Sequence, residues 1–189
     1  GCTIPASSAF TVGRWRREPD VVLRELASAL PAQRLVVRSS SLLEDMFASS
    51  NAGKFHSELD VSHAELPGAI ERVAASYAKG GTASSDSDQV LVQEYVRGAR
   101  VNGVLFTRVP DDGAPYYVLN DDHAQGATDT VTSGSSRTAR TTLVGRHAPR
   151  AATQRGPAWQ AGIFDVAKRV ESLVHHDALD IEFAVDHDE

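Results

Sequence analysis

The chain has 189 residues, 41% hydrophobic and 23% charged, so it is long enough for one sizeable core or two small lobes, and its composition excludes a disordered or fibrous protein. Its formal net charge of −6 argues against a protein that mainly binds a nucleic-acid backbone. The single cysteine excludes a disulfide framework and no apolar run approaches the length of a membrane helix, so we expect a cytoplasmic protein with no membrane partner.

The N-terminal half of the chain mixes helices and strands. The first predicted element is a short amphipathic helix over residues 20–30, with Pro19 and Pro31 at its ends. Two strands follow, "RLVVR" and "KFHSELDV", separated by a serine-rich polar stretch. The second strand is predicted to be half-buried, with alternation along Phe55, Ser57, Leu59 and Val61.

A second helix is predicted with clear ends. Ser62 and Glu65 have capping-box spacing, and Gly80 and Gly81 form the C-terminal stop. The apolar stripe of this helix consists of Leu66, Ile70, Val73 and Tyr77. After the polar loop "TASSDSD", the segment "QVLVQEYV" is rich in β-branched and aromatic residues and is predicted as a strand.

From Val101 onwards the sequence changes to short strands separated by turns. "VNGVLFT", "YYVLN" and "RTARTTLV" are predicted as antiparallel strands, with a tight turn at "PDDG". A helix is then predicted in "PAWQAGIFDVAKRVESLVHH", with an apolar stripe of Trp159, Ile163, Val166, Val170 and Leu173. These elements predict an α+β chain with an N-terminal lobe over residues 1–92 and a C-terminal lobe over residues 93–189.

The last segment, "LDIEFAVD", has two chemically different faces. Strand alternation gives one apolar face, formed by Leu179, Ile181, Phe183 and Val185. It gives one acidic face, formed by Asp180, Glu182 and Asp186. Carboxylates in such a row are costly unless they meet water, cations or basic residues. They fit either an edge strand whose charges prevent aggregation or a magnesium site that combines one or two carboxylates with phosphate oxygens.

The stretch "LVVRSSSLLED" has two interpretations. Ser41 and Glu44 have capping-box spacing, so the segment can be a helix cap. Alternatively, Arg38 binds phosphate oxygens with its fork-shaped guanidinium, while Ser39 and neighbouring hydroxyl and N–H groups add donors. The residues alone do not choose between these interpretations, and both can hold together.

Two further segments can contact a ligand. In "SNAGKF", Gly53 permits either an unusual backbone angle or the close approach of a ligand, and Lys54 can add a positive charge over phosphates. "VLVQEYV" is either a core strand with two polar residues on its solvent side or a strand whose backbone reads a purine edge. In the second case, Gln93 or Glu94 holds the exocyclic amine or a ribose hydroxyl.

The order of these segments is more specific than any one of them. "TIPASSAFTV", "LVVRSSSLLED", "AGKFHSELDV", "VLVQEYV", "NGVLFTRVP" and "DIEFAVD" together resemble the N-terminal nucleotide-binding domain of the phosphoenolpyruvate synthase and pyruvate phosphate dikinase family. The resemblance implies an ATP-grasp fold, in which two lobes enclose a cleft for ATP and Mg²⁺. It also implies transfer of a phosphoryl group from ATP to a histidine on a separate swivelling domain, and then to pyruvate or another acceptor.

The resemblance also implies roles for individual residues. Arg38 matches the family's phosphate-binding arginine, and Glu182 matches its magnesium-binding glutamate. Gly53 and Ser57 match the phosphate-covering loop and the strand after it. Gln93 and Tyr95 match the adenine-side strand. Together with residues favoured by the sequence itself, the predicted nucleotide-binding set comprises Arg38, Ser39, Gly53, Lys54, Ser57, Gln93, Glu94, Tyr95 and Arg108.

Some features depart from the family pattern. Val109 in "FTRVP" stands where the family has an acid, and Asp129 is the candidate replacement for the glutamate that ends a glycine-rich stretch. The chain begins at Gly1, and the family's ATP-binding lysine, its glutamine and arginine pair and its histidine motif would all lie outside it. We therefore expect a piece of a longer phosphotransferase that is inactive alone. The alternative is a non-catalytic nucleotide-binding module fused to another enzyme.

Overall fold

The computed structural model describes residues 2–40, 56–80, 85–123, 140–153 and 155–186. The chain divides into two compact units, Thr3–Val96 and Arg97–Glu189. Each unit contains a four-stranded antiparallel sheet, named the N-terminal sheet and the C-terminal sheet. Within the described ranges, no helix is long and apolar enough to cross a membrane.

The N-terminal sheet has the strand order β1, β4, β2, β3, so β2 and β4 are interior strands. Its strands are β1 (Ser7–Thr11), β2 (Leu35–Ser40), β3 (Ser57–Val61) and β4 (Gln89–Glu94). The helices of this unit are α1 (Val12–Arg17), α2 (Pro19–Ala29) and α3 (Leu66–Ser76), and a 3₁₀ turn, Tyr77–Gly80, follows α3. The predicted helices at residues 20–30 and after residue 62 are confirmed.

One face of the N-terminal sheet packs against α2 and α3. Leu35 and Val37 of β2 are fully buried and share a hydrophobic cluster with Leu26 of α2 and Ile70 and Val73 of α3. The predicted stripe of α3 is confirmed, because its four members are at most 4% exposed. The opposite face, named the outer face of the N-terminal sheet, carries Ser7, Val36, Arg38, Ser57, Leu91 and Gln93.

The C-terminal sheet has the strand order β7, β6, β5, β8, so β8 is an edge strand. Its strands are β5 (Val101–Phe106), β6 (Tyr116–Asp122), β7 (Arg140–Gly145) and β8 (Asp180–Val185). Its helices are α4 (Arg150–Thr153) and α5 (Ala158–Val174). The turn predicted at "PDDG" joins β5 and β6, where the Gly113 N–H donates to the Val109 carbonyl at 2.9 Å.

One face of the C-terminal sheet packs against α5. Leu105 and Leu119 are fully buried in a cluster with Phe164 and Ala167 of α5, and Ile181 of β8 lies against this cluster. The predicted division of β8 is confirmed, since Ile181 and Phe183 face the cluster and Asp180 and Glu182 are exposed. The opposite face, named the outer face of the C-terminal sheet, carries Asn102, Val104, Asn120, Asp122, Thr141, Asp180 and Glu182.

The structure corrects the predicted alternation of β3. Leu35 pairs with Val61 and Val37 pairs with Glu58, so Val61 shares a face with Glu58 rather than with Ser57. The strand therefore contains one extra residue, as in a β-bulge, and Asp60 has a positive φ of 56° there. Strand β1 and helix α1 are additional elements that the sequence analysis did not predict.

Two helix predictions also need correction. The buried residues of α5 are Gln160, Phe164 and Ala167, and Leu173 of the predicted stripe is 78% exposed, because the stripe begins one residue later than expected. At α3, the Ser62 N–H donates to the Glu65 carboxylate at 2.9 Å, but the Glu65 N–H donates to the Ser62 carbonyl. Only half of the capping box forms, since the helix itself begins later, at Leu66.

Candidate functional site

Three predicted nucleotide-binding residues lie together on the outer face of the N-terminal sheet. Arg38 in β2 is directly opposite Ser57 in β3 and directly opposite Leu91 in β4. Gln93 lies two residues beyond Leu91 and therefore on the same face. Directly opposite residues in such a sheet have Cβ atoms about 5 Å apart. The strand pairing thus brings together Arg38, Ser57 and Gln93, which are up to 55 positions apart in sequence.

The surroundings of Arg38 reduce the access of water to its charged group. The side chain is half-buried, and its outer-face neighbours Val36 and Leu91 are apolar, Val36 being 8% exposed. A guanidinium with reduced access to water interacts more strongly with an anion than one in bulk solvent. A half-buried arginine at this position is suited to bind phosphate oxygens.

A tyrosine that the sequence analysis counted only as apolar stabilises this end of the sheet. The Tyr77 hydroxyl donates to the Gln89 carbonyl of β4 and accepts the Ser40 N–H of β2 at 3.0 Å. It therefore joins two strand ends beside the chain segment that follows Ser40. A helical stripe predicts that a tyrosine is buried, but not where its hydroxyl binds.

The other predicted residues of this unit lie in different environments. Ser39 and Glu94 lie opposite Val90 and Leu35, on the side of the sheet that packs against the helices. The backbone N–H groups of Glu94 and Tyr95 donate to the carbonyls of Ala6 and Arg34, each at 3.0 Å. The interpretation that the backbone of this segment reads a purine edge stays a prediction, in which these two N–H groups cannot take part while they bind Ala6 and Arg34.

Some sequence-based assignments lie outside the described residues. This applies to Gly53 and Lys54 of the predicted phosphate-covering loop, to the predicted cap formed by Ser41 and Glu44, and to Asp129. Ser57 is the first residue after that loop's segment whose strand pairing is known, and it is exposed.

Glu182 lies on the outer face of the C-terminal sheet, directly opposite Val104 of β5. Asp180, on the same strand and the same face, is also exposed. Among the described residues, no group of three or more histidine, cysteine, aspartate or glutamate side chains could hold a metal by itself. Mg²⁺ commonly takes one or two carboxylates together with phosphate oxygens, so Glu182 fits a magnesium ion that a nucleotide helps to bind.

Several polar side chains that the sequence analysis did not identify lie on the same face of the sheet as Glu182. Asn120 lies across Val104 from Glu182, and its Oδ1 accepts the Thr141 hydroxyl at 2.7 Å. Asn102 is 4% exposed, and its Oδ1 has no hydrogen-bond partner among the described residues. It pairs directly with Asp122, which is 1% exposed. The only sequence signal for this group is that the apolar run of β6 ends in "NDD".

Arg108 is held within the C-terminal unit. Its Nη2 is 2.6 Å from the Asp177 carboxylate, and its Nη1 donates to the Gly113 carbonyl at 3.0 Å. The Arg108 hydrogen bond lowers the pKa of Asp177 below its usual range. Its two hydrogen-bond partners, Asp177 and Gly113, lie outside the strands of the C-terminal sheet.

Two antiparallel sheets, each with helices packed on one face, together with a match to a family of AMP/ATP-binding domains, define the class of protein, an α+β nucleotide-binding domain with an ATP-grasp fold. The family model for the AMP/ATP-binding domain of pyruvate phosphate dikinase matches residues 20–135, which is more than half of the sequence. The chain belongs to this family. Of the residues discussed, the match spans Arg38, Ser57, Gln93 and Arg108, whereas Glu182 lies beyond it.

Comparison with solved structures finds proteins of low sequence identity. PH1788 from Pyrococcus horikoshii Ot3 aligns with a TM-score of 0.48 and 16% identity, covering 91% of this chain and 71% of that one. The dinucleotide forming acetyl-coenzyme A synthetase 1 of Ca. Korarchaeum cryptofilum aligns with a TM-score of 0.43 and 12% identity. The alignment covers 84% of this chain but only 62% of the synthetase. No curated protein matches the sequence.

Proposed function

We propose that the chain is the ATP-binding domain of a dikinase-type phosphotransferase, which transfers a phosphoryl group from Mg-ATP to a histidine on a separate swivelling domain. The observation that carries this proposal is the common face of Arg38, Ser57 and Gln93. In this proposal Arg38 binds phosphate oxygens, the Ser57 hydroxyl donates a further hydrogen bond, and the Gln93 side chain contacts the adenine or ribose. Tyr95 follows Gln93 at the adenine-side end of β4.

Arg38 contributes charge neutralisation, which dominates phosphoryl transfer because the chemistry needs little else from the protein. Its position on an interior strand supports this role, since the pairing of β2 on both sides fixes the direction of the side chain. A phosphate bound there exchanges water for charge-assisted hydrogen bonds. Lys54 and Gly53 belong to the same proposal through the sequence resemblance alone.

Glu182 is the proposed magnesium ligand. Its carboxylate is exposed on a regular strand and accepts only, as a hard oxygen ligand should. Bound Mg²⁺ would neutralise phosphate charge and orient the transferred group. Asn120 lies on the same face of the sheet, on β6 beyond β5, and its side-chain oxygen can receive a hydrogen bond from a water molecule that Mg²⁺ usually keeps.

The transfer step is tested with a longer protein that contains this chain and a histidine domain. Incubation with ATP labelled in the transferred phosphate should yield labelled phosphohistidine together with AMP and, from the remaining phosphate, inorganic phosphate, and Arg38→Ala should abolish the formation of all three. The acceptor, pyruvate or another compound, is then found by following the label. Failure to label any histidine under every acceptor condition would contradict the proposal.

A second candidate function is a module that binds ATP without transferring phosphate. Val109, in place of an acid, favours it. Its backbone, however, accepts the Gly113 N–H and donates to the Ala114 carbonyl at 3.1 Å, so the turn forms without an acidic side chain. The same experiment separates the two functions, because the module would bind ATP and leave every histidine unlabelled.

A further inference from the structure

We propose that Arg108 is a positioning residue. Together with Arg146, Glu171 and Asp177 it forms an ion-pair cluster that fixes the start of β8 and thereby the face on which Glu182 lies. This inference rests on the proposed function in one respect, the role of Glu182 as magnesium ligand. It assigns Arg108 to the support of the site rather than to contact with the nucleotide.

The cluster joins four separate parts of the C-terminal unit. Arg108 follows β5, Arg146 follows β7, Glu171 lies in the last turn of α5, and Asp177 lies between α5 and β8. Both terminal nitrogens of Arg146 contact the Glu171 carboxylate, at 2.5 and 3.2 Å, and these side chains are 14% and 12% exposed. Asp177 is shared, since it lies 2.6 Å from Arg108 and 3.8 Å from Arg146.

Thr107 connects this cluster to the backbone before β8. Its hydroxyl donates to the Asp177 carbonyl and accepts the Leu179 N–H, both at 2.8 Å. Its own N–H donates to the Leu179 carbonyl at 2.9 Å, and its carbonyl accepts from Arg146 at 2.7 Å. Thr107 is fully buried, so these bonds are shielded from water. The backbone at residues 177–179 is therefore held by both side-chain and main-chain bonds.

The register of β8 begins directly after this attachment. Asp180 pairs with Phe106, and Glu182 pairs with Val104. A shift of one residue would turn Glu182 towards α5 and expose the apolar residues that now face the cluster of Leu105 and Phe164. Because β8 has a strand neighbour on one side only in the part of the chain that the structure describes, its position depends strongly on what holds its ends.

The side chain of Arg108 already makes two hydrogen bonds within the C-terminal unit. One terminal nitrogen binds Asp177 and the other binds the Gly113 carbonyl in the turn between β5 and β6. These two bonds fix the direction of the guanidinium towards Asp177 and the turn. The sequence pattern "FTRVP" does not reveal this, since Asp177 lies 69 positions further along the chain.

The test compares Arg108→Gln with the conservative Arg108→Lys, and with Arg16→Gln as a matched control. Arg16 also binds a carboxylate, that of Asp86 at 2.7 Å, but does so at the surface of the N-terminal unit. Two properties are measured on each variant of the 189-residue chain. The first is amide hydrogen exchange of residues 180–185. The second is the Mg²⁺ concentration that gives half-maximal ATP binding, determined also in the Glu182→Gln background.

We expect faster exchange in Arg108→Gln and an increase of roughly tenfold in the required Mg²⁺, the scale of one charge-assisted hydrogen bond, with partial rescue by lysine. ATP affinity without Mg²⁺ should not change, and Arg108→Gln should add nothing in the Glu182→Gln background. If Arg108→Gln weakens ATP binding without Mg²⁺, and if its effect adds to that of Glu182→Gln, the inference is overturned in favour of direct contact between Arg108 and the nucleotide. Unchanged amide exchange of residues 180–185 in Arg108→Gln would overturn the inference, whether or not the chain binds ATP. Faster exchange in a chain that does not bind ATP would support the inference and contradict only the proposed function.

Discussion

Arg38 and Glu182 are held in place by different means, and the difference follows from their strands. Arg38 lies on an interior strand with a ladder on each side and a large apolar cluster beneath it. Glu182 lies on an edge strand with one ladder and a smaller cluster beneath it. At the ends of β8, polar groups take over: Thr107 holds Leu179, and the Arg100 side chain donates to the Asp186 carbonyl at 2.9 Å. The position of Arg38 therefore depends on apolar packing, whereas the position of Glu182 depends on hydrogen bonds and ion pairs.

The largest effect is expected from a cavity in the hydrophobic cluster of the N-terminal unit, to which Ile70 belongs. Ile70 is fully buried, so Ile70→Ala should lower the free energy of unfolding of that unit by about 2–5 kcal/mol. Ile163 of α5 is only half-buried, and Ile163→Ala should cost clearly less. Chemical denaturation of both variants provides the measurement. Equal losses would contradict the idea that the N-terminal unit depends more on apolar packing.

The next effect concerns the Arg146–Glu171 pair. Glu171→Ala leaves a nearly buried guanidinium without its main partner, and we expect a loss of about 3 kcal/mol in unfolding free energy, typical of a broken buried pair. Replacing Arg146 by Met in the same chain should recover part of this loss, because the unpaired charge is then removed. Denaturation of the single and double variants shows whether polar contacts hold the C-terminal unit. A loss below about 0.5 kcal/mol, as for exposed pairs, would contradict this.

A third variant tests the close contact of β5 with its neighbours. A Cβ at Gly103 would lie 2.4 Å from the Asn120 carbonyl oxygen and 2.4 Å from the Phe183 ring. Gly103→Ala should therefore displace β6 or β8 and lower the unfolding free energy by about 1–3 kcal/mol. Gly162 in α5 is the matched control, since a Cβ there meets nothing within 4 Å. Gly162→Ala should stabilise the unit by about 0.5–1 kcal/mol through helix propensity.

The smallest effect is expected on the pH dependence of stability. The Arg72 hydrogen bond lowers the pKa of Glu58 in the N-terminal unit, and Arg108 does the same for Asp177 in the C-terminal unit. Because both folded-state pKa values are depressed, their stabilisation is present above the ordinary values of 4.5 and 3.8 and is lost as the pH falls through the folded-state values. Thermal unfolding against pH should show less acid sensitivity in Arg72→Gln. An unchanged pH dependence would contradict the assignment to Glu58.

Some periodic features of this fold could be predicted from the sequence, whereas the bulge in β3, the exact stripe of α5 and the long-range polar contacts could not. The two faces of β8 follow from strict alternation, and the stripe of α3 follows from helical spacing, so both predictions are confirmed. The bulge in β3 could not be foreseen, because it depends on Asp60 adopting a positive φ and on Val61 joining the core with Leu35. The local pattern "FTRVP" likewise does not reveal the ion pair of Arg108 with Asp177, which lies 69 positions further along the chain.

The central claim is that Arg38 lies at a nucleotide site, and calorimetry with Mg-ATP tests it most directly. The 189-residue chain is titrated alongside Arg38→Ala and the surface control Arg16→Ala, after each variant is shown to unfold at a similar temperature. We predict that Arg38→Ala weakens Mg-ATP binding roughly tenfold to hundredfold, the range for charge-assisted hydrogen bonds, whereas Arg16→Ala binds as the unmodified chain does. Equal affinity of Arg38→Ala and the unmodified chain would contradict the claim.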